Sequence, residues 1–317
     1  MNLKNWLKAK APKLYRYFQY KKAEFHYFRR KHTSSKKYPR ELEKRYFQIT
    51  GKNMDINNPE TYSAKIQWLK LYDPNPLRTQ LTDKVAVREW ISKKIGSEYL
   101  IPSYGFFNHF DDINFNDLPN QFVIKTNHSS GWNLIVKDKQ KFNKRKAKKT
   151  IETWLSRDYA FWSEFEIHYS PILPKIIIEK YMEDKDHPGS LTDYKFLCFN
   201  GKPSFVWVDF DRYQNHKRNV YDMNWKLQPF TQMTYPNFLG EVKCPENFDK
   251  MKELVTILCQ GFIHVRVDLY NINGKIYFGE MTFTNGSGFE QLYPTEYEKI
   301  IGELIHLPIS SQKGGCK

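Results

Sequence analysis

Residues 262–288 read FIHVRVDLYNINGKIYFGEMTFTNGSG, and this stretch decides the fold class. Two runs in which apolar and polar side chains alternate lie on either side of Asn273-Gly274, a pair of residues typical of tight β-turns. The stretch is therefore predicted to be a hairpin of two antiparallel strands. Because successive side chains of a strand point to opposite faces, Arg266 and Asp268 share one face, opposite the apolar side chains.

The position of Glu280 depends on the length of the turn. With a two-residue turn Asp268 opposes Gly279 and Glu280 faces away, whereas a three-residue loop with a glycine bulge shifts the pairing by one residue. We expect the three-residue loop, which places Glu280 beside Arg266 and Asp268. The two carboxylates could then hold Mg²⁺ together with phosphate oxygens and water. The alternative is a solvent-exposed hairpin with an ordinary ion pair between Arg266 and Glu280.

Two further segments carry candidate ligand contacts. The polar loop that follows the hairpin offers Asn285 as a third oxygen ligand for the metal, and Ser287 with its backbone neighbours as a contact for an anionic acceptor. A basic loop that contains Arg212 and Arg218 suits an acidic glycan. A plain solvated loop is the alternative for that segment.

The rest of the chain is predicted to be helical in its N-terminal third and to alternate strands and helices after residue 120, which is the α+β class. Asn58-Pro59-Glu60 has the pattern of a helix start, and Thr82 or Asp83 is predicted to cap a helix over residues 82–95. The elements predicted after residue 120 are a strand at Phe122–Lys125, a helical segment at 143–169, a strand at Ile176–Ile178, a hairpin of Tyr194–Phe199 and Ser204–Phe210, a helix at 248–260, and the hairpin of Phe262–Tyr270 and Lys275–Thr284.

Lys125 ends a predicted strand and precedes a loop of small polar residues. In that loop, Ser129, Ser130 and Gly131 could wrap phosphate groups with backbone N–H groups, while Lys125 neutralises their charge. The glycine spacing is neither that of a Walker A loop nor that of a Rossmann fingerprint. A polar loop between strands is the alternative interpretation.

A linker of polar and apolar residues, 179–183, follows the next predicted strand. Glu179 could accept a hydrogen bond from the amino group of an adenine, and Glu183 could reach a ribose; a charged connector is the alternative. Lys195 shares a strand face with Asp193 and points either to solvent or into a cleft.

The positive charge is concentrated at the N-terminus. Residues 1–46 hold 15 Lys/Arg and 3 Asp/Glu, so they carry +12 of the net charge of +15. This basic arm is predicted to be helical, with aromatic residues at helical spacing and Pro12 as an interruption. It either lies on an anionic membrane surface or packs its aromatic stripe on the body of the protein. No nucleic-acid partner is expected, because such an enzyme carries its basic residues around the working groove.

The composition argues against several classes of protein. The sequence has no run of eighteen apolar residues, so no membrane-spanning helix is predicted, and its N-terminus lacks the apolar region of a secretory signal peptide. The four cysteines are widely spaced, which argues against a zinc site and a disulfide framework. A cytoplasmic protein is therefore expected, in contact with the inner face of the cytoplasmic membrane if the arm binds lipid.

Taken in this order, the segments resemble the ATP-grasp superfamily, and more closely its TupA-like branch, which occurs among bacterial surface-polysaccharide genes. The resemblance runs from about Asn58 to Leu307. One position departs from the common pattern, because many ATP-grasp enzymes have Asn two residues after the metal-binding Glu, where this chain has Thr282. The matching stretches are Thr82-Asp83-Lys84, Phe122-Val123-Ile124-Lys125 with Ser129-Ser130-Gly131, Ile178-Glu179-Lys180-Tyr181, Asp193-Tyr194-Lys195-Phe196, Arg266-Val267-Asp268, and Gly279-Glu280-Met281-Thr282-Phe283.

The resemblance implies an ATP-grasp fold, in which two α+β subdomains clasp ATP. We divide the chain into a basic helical arm (1–57), a helical region (58–120), the ATP-grasp subdomains (121–307) and a disordered tail (308–317). The implied ATP contacts are Lys84, Lys125, Ser129, Ser130 and Gly131 for the phosphates, and Glu179, Lys180, Tyr181, Met182 and Glu183 for the nucleoside. The implied catalytic contacts are Lys195, which faces the phosphates, Arg266, which stabilises charge on the transferring phosphoryl group, and Asp268 and Glu280, which bind Mg²⁺.

ATP-grasp enzymes are mostly carboxylate–amine ligases. The resemblance therefore implies that ATP phosphorylates a carboxylate and that an amine or amino acid attacks the acyl phosphate. The expected carboxylate is a uronic acid of a capsule or lipopolysaccharide glycan, or of its nucleotide-linked or lipid-linked sugar precursor. Three alternatives remain open: a sugar kinase on the same fold, a glycosyltransferase that uses the D-x-D sequence Asp209-Phe210-Asp211, and a basic scaffold without enzymatic activity that binds membrane or nucleic acid through its arm.

Overall fold

The structure is a computed structural model that describes Trp6 and residues 10–184, 191–210, 216–232 and 235–309. Several predicted features lie outside these residues: Arg212, Asp211 of the D-x-D sequence, and nearly all of the predicted tail, residues 310–317.

The helices of the described residues lie mainly in the N-terminal half. None of them is long and apolar enough to cross a membrane. The helices are α1 (Pro12–Lys31), α2 (Tyr38–Thr50), α3 (Tyr62–Tyr72), α4 (Leu77–Thr82), α5 (Ala86–Lys94), α6 (Lys144–Leu155), α7 (Tyr159–Trp162), α8 (Phe248–Leu258) and α9 (Tyr297–Glu303).

The strands form two antiparallel sheets and a short two-stranded ribbon. The first sheet has the order β1-β4-β2-β3, the second has the order β10-β9-β5-β6-β7, and β11 pairs with β8. The strands are β1 (Ser103–Phe107), β2 (Phe122–Thr126), β3 (Asn133–Val136), β4 (Ile176–Lys180), β5 (Asp193–Phe199), β6 (Lys202–Phe210), β7 (Lys217–Asp222), β8 (Thr231–Gln232), β9 (His264–Ile272), β10 (Lys275–Thr282) and β11 (Leu292–Tyr293). The predicted α+β class is confirmed.

Each sheet buries one face against a helix. Phe122, Ile124 and Ile178 of the first sheet pack with Ala147 and Ile151 of α6. In the second sheet, apolar side chains of the strands pack against α8 and form a larger buried cluster. This cluster includes Phe196, Val206, Val265, Val267, Leu269, Met251, Leu254 and Leu258. Burial of these apolar faces fixes the orientation of both sheets.

The face of the second sheet that points away from α8 is apolar at one end of the strands and charged at the other. At one end Leu197, Phe199 and Trp207 pack against α3 and α9. At the other end the same face carries charged side chains, among them Lys195 and Asp268, each less than 5% exposed. Buried charged side chains therefore lie on the face of the sheet that α8 does not cover.

Local sequence explains where several helices begin and end. Pro12 stands at the first position of α1, where its missing N–H costs nothing. Lys10 is helical and Ala11 is not, so the predicted interruption of the arm at Pro12 is confirmed. α2 ends at Gly51, whose φ of 70° is the left-handed conformation common after helices. α3 begins at Tyr62 instead of Pro59, because the Thr61 side chain accepts a hydrogen bond from the Ala64 N–H.

Two predicted helices are interrupted. The segment 82–95 is split because α4 ends at Thr82 and α5 begins at Ala86, while Asp83 Oδ1 accepts hydrogen bonds from the N–H groups of Val85 and Ala86. The segment 143–169 breaks after Leu155, and the Asp158 side chain caps the short helix α7. The strands and hairpins predicted after residue 120 are confirmed to within a few residues at their ends, whereas β1, β3, β7, β8 and β11 were not predicted.

Gly302 provides a test of the packing between α9 and the start of α3. A Cβ at this position would lie 2.6 Å from the Glu60 carbonyl oxygen and 2.8 Å from the Tyr62 nitrogen, both backbone atoms. Gly to Ala usually stabilises a helix, but here Gly302→Ala should lower the free energy of unfolding by about 1–3 kcal/mol, because α9 must move away. Glu303→Ala, on the exposed side of the same helix, should change it by less than about 0.5 kcal/mol. Urea denaturation measures both, and a stabilised Gly302→Ala variant would contradict the packing described.

Candidate active site

The hairpin of β9 and β10 places Glu280 beside Asp268, but not through the predicted loop. Ile272 pairs with Lys275, so the turn has two residues and the predicted three-residue loop is wrong. The shift of register occurs further along, because Phe278 pairs with Leu269 and Glu280 pairs with Asp268, which leaves Gly279 as the extra residue of a bulge.

A glycine suits this bulge. A Cβ on Gly279 would lie 3.0 Å from the Asp268 carbonyl oxygen and 3.1 Å from the Tyr270 ring. The close approach of the two backbones therefore disfavours a side chain at this position. The bulge turns Glu280 onto the face that carries Arg266 and Asp268.

These three side chains form one network of charge-assisted hydrogen bonds. Arg266 binds both oxygens of Asp268, with Nε–Oδ1 at 2.7 Å and Nη2–Oδ2 at 2.8 Å, and its Nη2 lies 3.0 Å from Glu280 Oε1. The side chains of Arg266 and Asp268 are 11% and 4% exposed, and that of Glu280 is 34% exposed. The alternative of a solvent-exposed hairpin is therefore wrong.

The network shifts the pKa values of Arg266 and Asp268. Burial disfavours the charged form of Asp268, but Arg266 and Lys195 more than offset it and hold the pKa of the carboxyl below its usual value. Burial likewise opposes the charge of Arg266, yet Asp268 and Glu280 raise the pKa of the guanidinium. Each charge is therefore kept ionised by its neighbours.

Lys195 lies among three carboxylates, one on its own strand β5 and one on each of the adjacent strands β9 and β6. Its Nζ is 2.8 Å from Asp268, 3.1 Å from Asp193 and 3.9 Å from Asp209. The register of β5 against β9 pairs Lys195 directly with Asp268. Two orientations were predicted for the Lys195 side chain, towards solvent or into a cleft. In the structure it points into the cleft.

Arg218 is not part of an exposed basic loop. It lies in β7, is 4% exposed, and donates to both oxygens of Asp209 at 2.5 and 2.9 Å. Burial raises the pKa of Asp209, but Arg218 more than offsets it, so the pKa of this carboxyl is well below its usual value. Asp209 belongs to a buried ion pair, which argues against the glycosyltransferase alternative that uses the D-x-D sequence.

A cavity of about 730 Å³ lies between the two sheets. One wall is the uncovered face of the first sheet, and the other is the charged end of the second sheet. Most of the predicted ATP and metal contacts line it: Lys84, Lys125, Ser130, Gly131, Glu179, Lys180, Tyr181, Met182, Lys195, Asp268 and Glu280.

The loop after β2 is anchored at one end of this cavity. Ser129 is buried, and its hydroxyl group is 2.6 Å from that of Thr126, while its carbonyl oxygen accepts a hydrogen bond from Lys84 Nζ. Burial lowers the pKa of Lys84, and the nearby positive charge of Lys125 contributes to the shift. The loop and its two lysines therefore form one positively charged corner of the cavity.

Glu179 lies on the cavity face of the first sheet, next to Lys125. Its carboxylate is 2.6 Å from Lys125 and 3.4 Å from Arg88. These two cations already bind its side chain, so a role with an adenine stays a prediction. Glu183 does not line the cavity.

A second cavity of about 400 Å³ adjoins the first and shares Ser130 and Glu280 with it. Sequence reasoning missed most of this cavity, because residues 157–169 were taken as continuous helix. Arg266 and Ser287 also line it. The other lining residues are Tyr159, Trp162, Ser163, Glu164, Glu166, Tyr169, Thr282, Thr284, Gly286 and Phe289.

The loop that forms the wall of the second cavity has unusual backbone conformations. Glu164 and Phe165 have φ of 65° and 70°, and Ser287 on the facing loop has φ of 51°. Positive φ is unfavourable for residues other than glycine and often occurs at functional sites. Glu164 is held by Arg45 and Arg30, at 2.8 and 3.4 Å, which ties this loop to the N-terminal helices.

Glu166 is the buried carboxylate of the second cavity. It accepts a hydrogen bond from the Thr284 hydroxyl group, and burial raises its pKa although Lys70 and Thr284 act in the opposite direction. Lys70 Nζ donates to the carbonyl oxygens of Glu164 and Ser287, and burial lowers its pKa to about 8. The cavity therefore contains a carboxyl group whose pKa is raised by burial, a feature that is common at functional sites.

The donor set at Glu280 and Asp268 fits a magnesium ion that keeps most of its coordination for phosphate and water. Within the described part of the chain, no group of three or more His, Cys, Asp or Glu side chains is placed to hold a metal ion. Asn285, the predicted third ligand, is buried, and its Oδ1 accepts a hydrogen bond from Arg266. Thr282 Oγ1 lies 3.3 Å from Glu280 Oε1.

A family model described as TupA-like ATPgrasp matches residues 64–306. No curated protein matches the sequence. Solved structures with a similar fold include D-alanine–D-alanine ligase from Bacillus anthracis with ATP (16% identity, TM-score 0.38, 65% of this chain and 54% of that chain). They also include VanG D-Ala:D-Ser ligase from Enterococcus faecalis (16%, TM-score 0.41, 71% and 60%) and N5-carboxyaminoimidazole synthetase from Staphylococcus aureus (15%, TM-score 0.37, 64% and 44%). The chain thus spans about half the length of these structures.

Lys195→Met tests the charge network. The variant should lose about 3 kcal/mol of unfolding free energy at neutral pH, because Asp193 and Asp268 lose a buried cation. The lowered pKa of Asp268 adds stability above the ordinary aspartate pKa of about 4, and this contribution is lost as the pH falls. The difference between variant and wild type should therefore shrink in acid. Lys202→Met, an exposed lysine on β6, is the control, and a pH-independent loss in Lys195→Met would contradict the network.

Proposed function

The chain belongs to the TupA-like ATP-grasp family, and from this premise we propose that it is a Mg-ATP-dependent ligase that joins an amine or amino acid to a carboxylate through an acyl phosphate. The single observation that carries the proposal is the pair of adjoining cavities, with Glu280 and Ser130 on their shared boundary. A ligase of this kind must bring a phosphate donor and an acceptor together at such a boundary.

We place ATP in the larger cavity. Its volume of about 730 Å³ suits a nucleotide. Lys84, Lys125 and the Ser129–Gly131 loop would hold the phosphates, and the segment from Glu179 to Met182 would hold the nucleoside. This orientation directs the terminal phosphate towards Lys195, Arg266 and the second cavity.

We assign Asp268 and Glu280 as the protein ligands of Mg²⁺, with Asn285 or Thr282 as a candidate third ligand. The metal would supply charge neutralisation of the phosphates during phosphoryl transfer. Arg266 is fixed by Asp268 on its own strand and by Glu280 on β10, and Lys195 is fixed by Asp268 on the adjacent strand β9. They therefore offer positive charge at set positions, with little reorganisation when negative charge develops on the transferring group.

The second cavity is the proposed acceptor site. Tyr159, Trp162, Tyr169 and Phe289 give it apolar faces, while hydroxyl and carboxyl groups give it polar edges. A sugar ring has both kinds of surface, which supports a uronic acid as the carboxylate substrate. Its carboxylate would lie near Arg266. We propose that the sugar belongs to a capsule or lipopolysaccharide glycan or to its nucleotide-linked or lipid-linked precursor, in the cytoplasm.

Glu166 is the proposed acceptor of the proton that the amine must lose when it attacks the acyl phosphate. The carboxyl lies in the wall of the second cavity, and burial raises its pKa, which makes it a better base. Ser287, also in this wall, donates its hydroxyl to the Ser163 carbonyl oxygen at 2.7 Å, so it would act by shaping the site.

A sugar kinase on the same fold is the second candidate, because it would use the same ATP contacts and the same second cavity. The two reactions differ in their product. A ligase forms an acyl phosphate that an amine consumes, whereas a kinase leaves the phosphate on a hydroxyl oxygen.

Glu280→Gln tests the assignment of the boundary carboxylate. ADP formation in the presence of ATP, Mg²⁺, a uronic acid and an amine should fall about 100-fold or more, because one charged ligand of the metal is lost. Glu303→Gln, an exposed change far from the cavities, should leave the rate unchanged. A coupled assay of ADP release measures both rates, and full activity of Glu280→Gln would remove the carboxylate from the proposed site.

Hydroxylamine distinguishes ligase from kinase and tests Glu166. The wild-type enzyme with ATP and a uronic acid should form a hydroxamate, because hydroxylamine traps an acyl phosphate. Since hydroxylamine is unprotonated at neutral pH, Glu166→Gln should still form hydroxamate while its ligation of a protonated amine falls about 100-fold. Mass spectrometry detects both products. A stable sugar phosphate without any hydroxamate would establish the kinase, and equal loss of both reactions in Glu166→Gln would argue against the role of Glu166 as base.

A further inference from the structure

Helix α1 has two opposite faces with different environments. With 3.6 residues per turn, Leu14, Phe18 and Phe25 lie within about 40° of one another, and Tyr27 and Arg30 lie on the other side of the helix. Tyr27 and Arg30 are 3% and 9% exposed, whereas Leu14, Phe18 and Phe25 are 46%, 52% and 66% exposed. The arm was predicted either to pack on the body of the protein or to lie on a membrane surface. The inner face of α1 packs on the body, and the exposed outer face is the one that the membrane interpretation requires.

The inner face is fastened to the body next to the second cavity. Arg30 donates to the carbonyl oxygens of Phe161 and Trp162 at 2.7 and 3.2 Å. Glu24 lies 2.6 Å from Arg157, which stands just before α7. The position of α1 is thus fixed by polar contacts to the loop that lines the second cavity.

The outer face combines apolar and positively charged side chains. Phe28, 55% exposed, extends the stripe of Leu14, Phe18 and Phe25 (the outer stripe) by one further turn. Lys21, Lys22 and Arg29 lie beside the outer stripe and are exposed, with Lys21 3.1 Å from Glu24 and Arg29 2.8 Å from Glu41. Glu24 is the only acidic residue of α1, and its carboxylate lies between Lys21 and Arg157.

We propose that the outer stripe of α1 docks on the surface of an anionic lipid bilayer. Exposed aromatic side chains flanked by Lys and Arg match such a surface, because the rings enter the headgroup region while the cations meet lipid phosphates. A second copy of the chain fits less well, since α1 carries seven Lys/Arg against one Glu and two such helices would repel each other.

The docked arm would bring the second cavity to the membrane surface, because Arg30 binds the carbonyl groups of Phe161 and Trp162 and Trp162 lines that cavity. Of the proposed acceptors, this geometry selects a lipid-linked glycan over a soluble nucleotide sugar. This last step rests on the proposed ligase function, whereas the docking itself does not.

Vesicle flotation with the full chain tests the docking. The wild type should float with vesicles of equal parts phosphatidylglycerol and phosphatidylcholine, and much less with phosphatidylcholine alone. Phe18→Ser combined with Phe25→Ser should weaken the partition by roughly tenfold or more, because two rings no longer enter the bilayer. Lys22→Gln combined with Arg29→Gln should weaken it mainly on the anionic vesicles.

Matched controls separate docking from misfolding and from loss of activity. Leu173→Ser and Leu239→Ser remove exposed apolar side chains elsewhere, 78% and 95% exposed, and should leave flotation unchanged. All variants should keep the wild-type unfolding midpoint and ATP binding, since the changed side chains are exposed and distant from the cavities. Flotation that is absent in the wild type, or unchanged in the Phe18/Phe25 variant, would overturn the proposal. A wild-type dimer that becomes monomeric in this variant, without lipid binding, would assign the outer stripe to self-association.

Discussion

The contact of Arg266 with Asp268 is the constraint on which the site depends. A buried carboxylate and a buried guanidinium are each unfavourable alone, and together they must satisfy most of each other's hydrogen-bonding capacity. The pair lies on the same face of a sheet whose other end is packed with aromatic and aliphatic side chains. Consequently the sheet is held by apolar burial at one end and by ion pairing at the other, and the cavity forms where the ion pairs begin.

This arrangement makes the polar groups rigid before any ligand arrives. Lys195 is fixed by carboxylates from three neighbouring strands, and Arg266 by Asp268 and Glu280. Such side chains lose little conformational entropy on binding, and their charges are already oriented towards the place where phosphate charge would develop. The same arrangement makes the folded state sensitive to substitution, because the removal of one partner leaves a buried charge uncompensated.

The sequence predicted the large elements well, because the alternation of Phe262–Tyr270 and the apolar run of Ile176–Ile178 are direct consequences of which faces are buried. It did not predict the bulge at Gly279. A glycine within a strand was visible, but its effect on register depends on the approach of Asp268 and Tyr270 from the neighbouring strand. Most of the second cavity was missed for a similar reason, since the positive φ of Glu164 and Phe165 is imposed by tertiary contacts and not by local propensity.

The loop between α6 and β4 connects features that the sequence separates widely. Its carbonyl groups receive Arg30 from α1, its Glu164 receives Arg45 from α2, and its Trp162 and Glu166 form walls of the second cavity. In the proposed docking, α1 contacts the bilayer through its outer face. Its inner face contacts this loop, so the loop connects the position of α1 with the second cavity. The N-terminal arm is therefore connected to the second cavity, because its Arg30 and Arg45 bind the loop that forms a wall of that cavity.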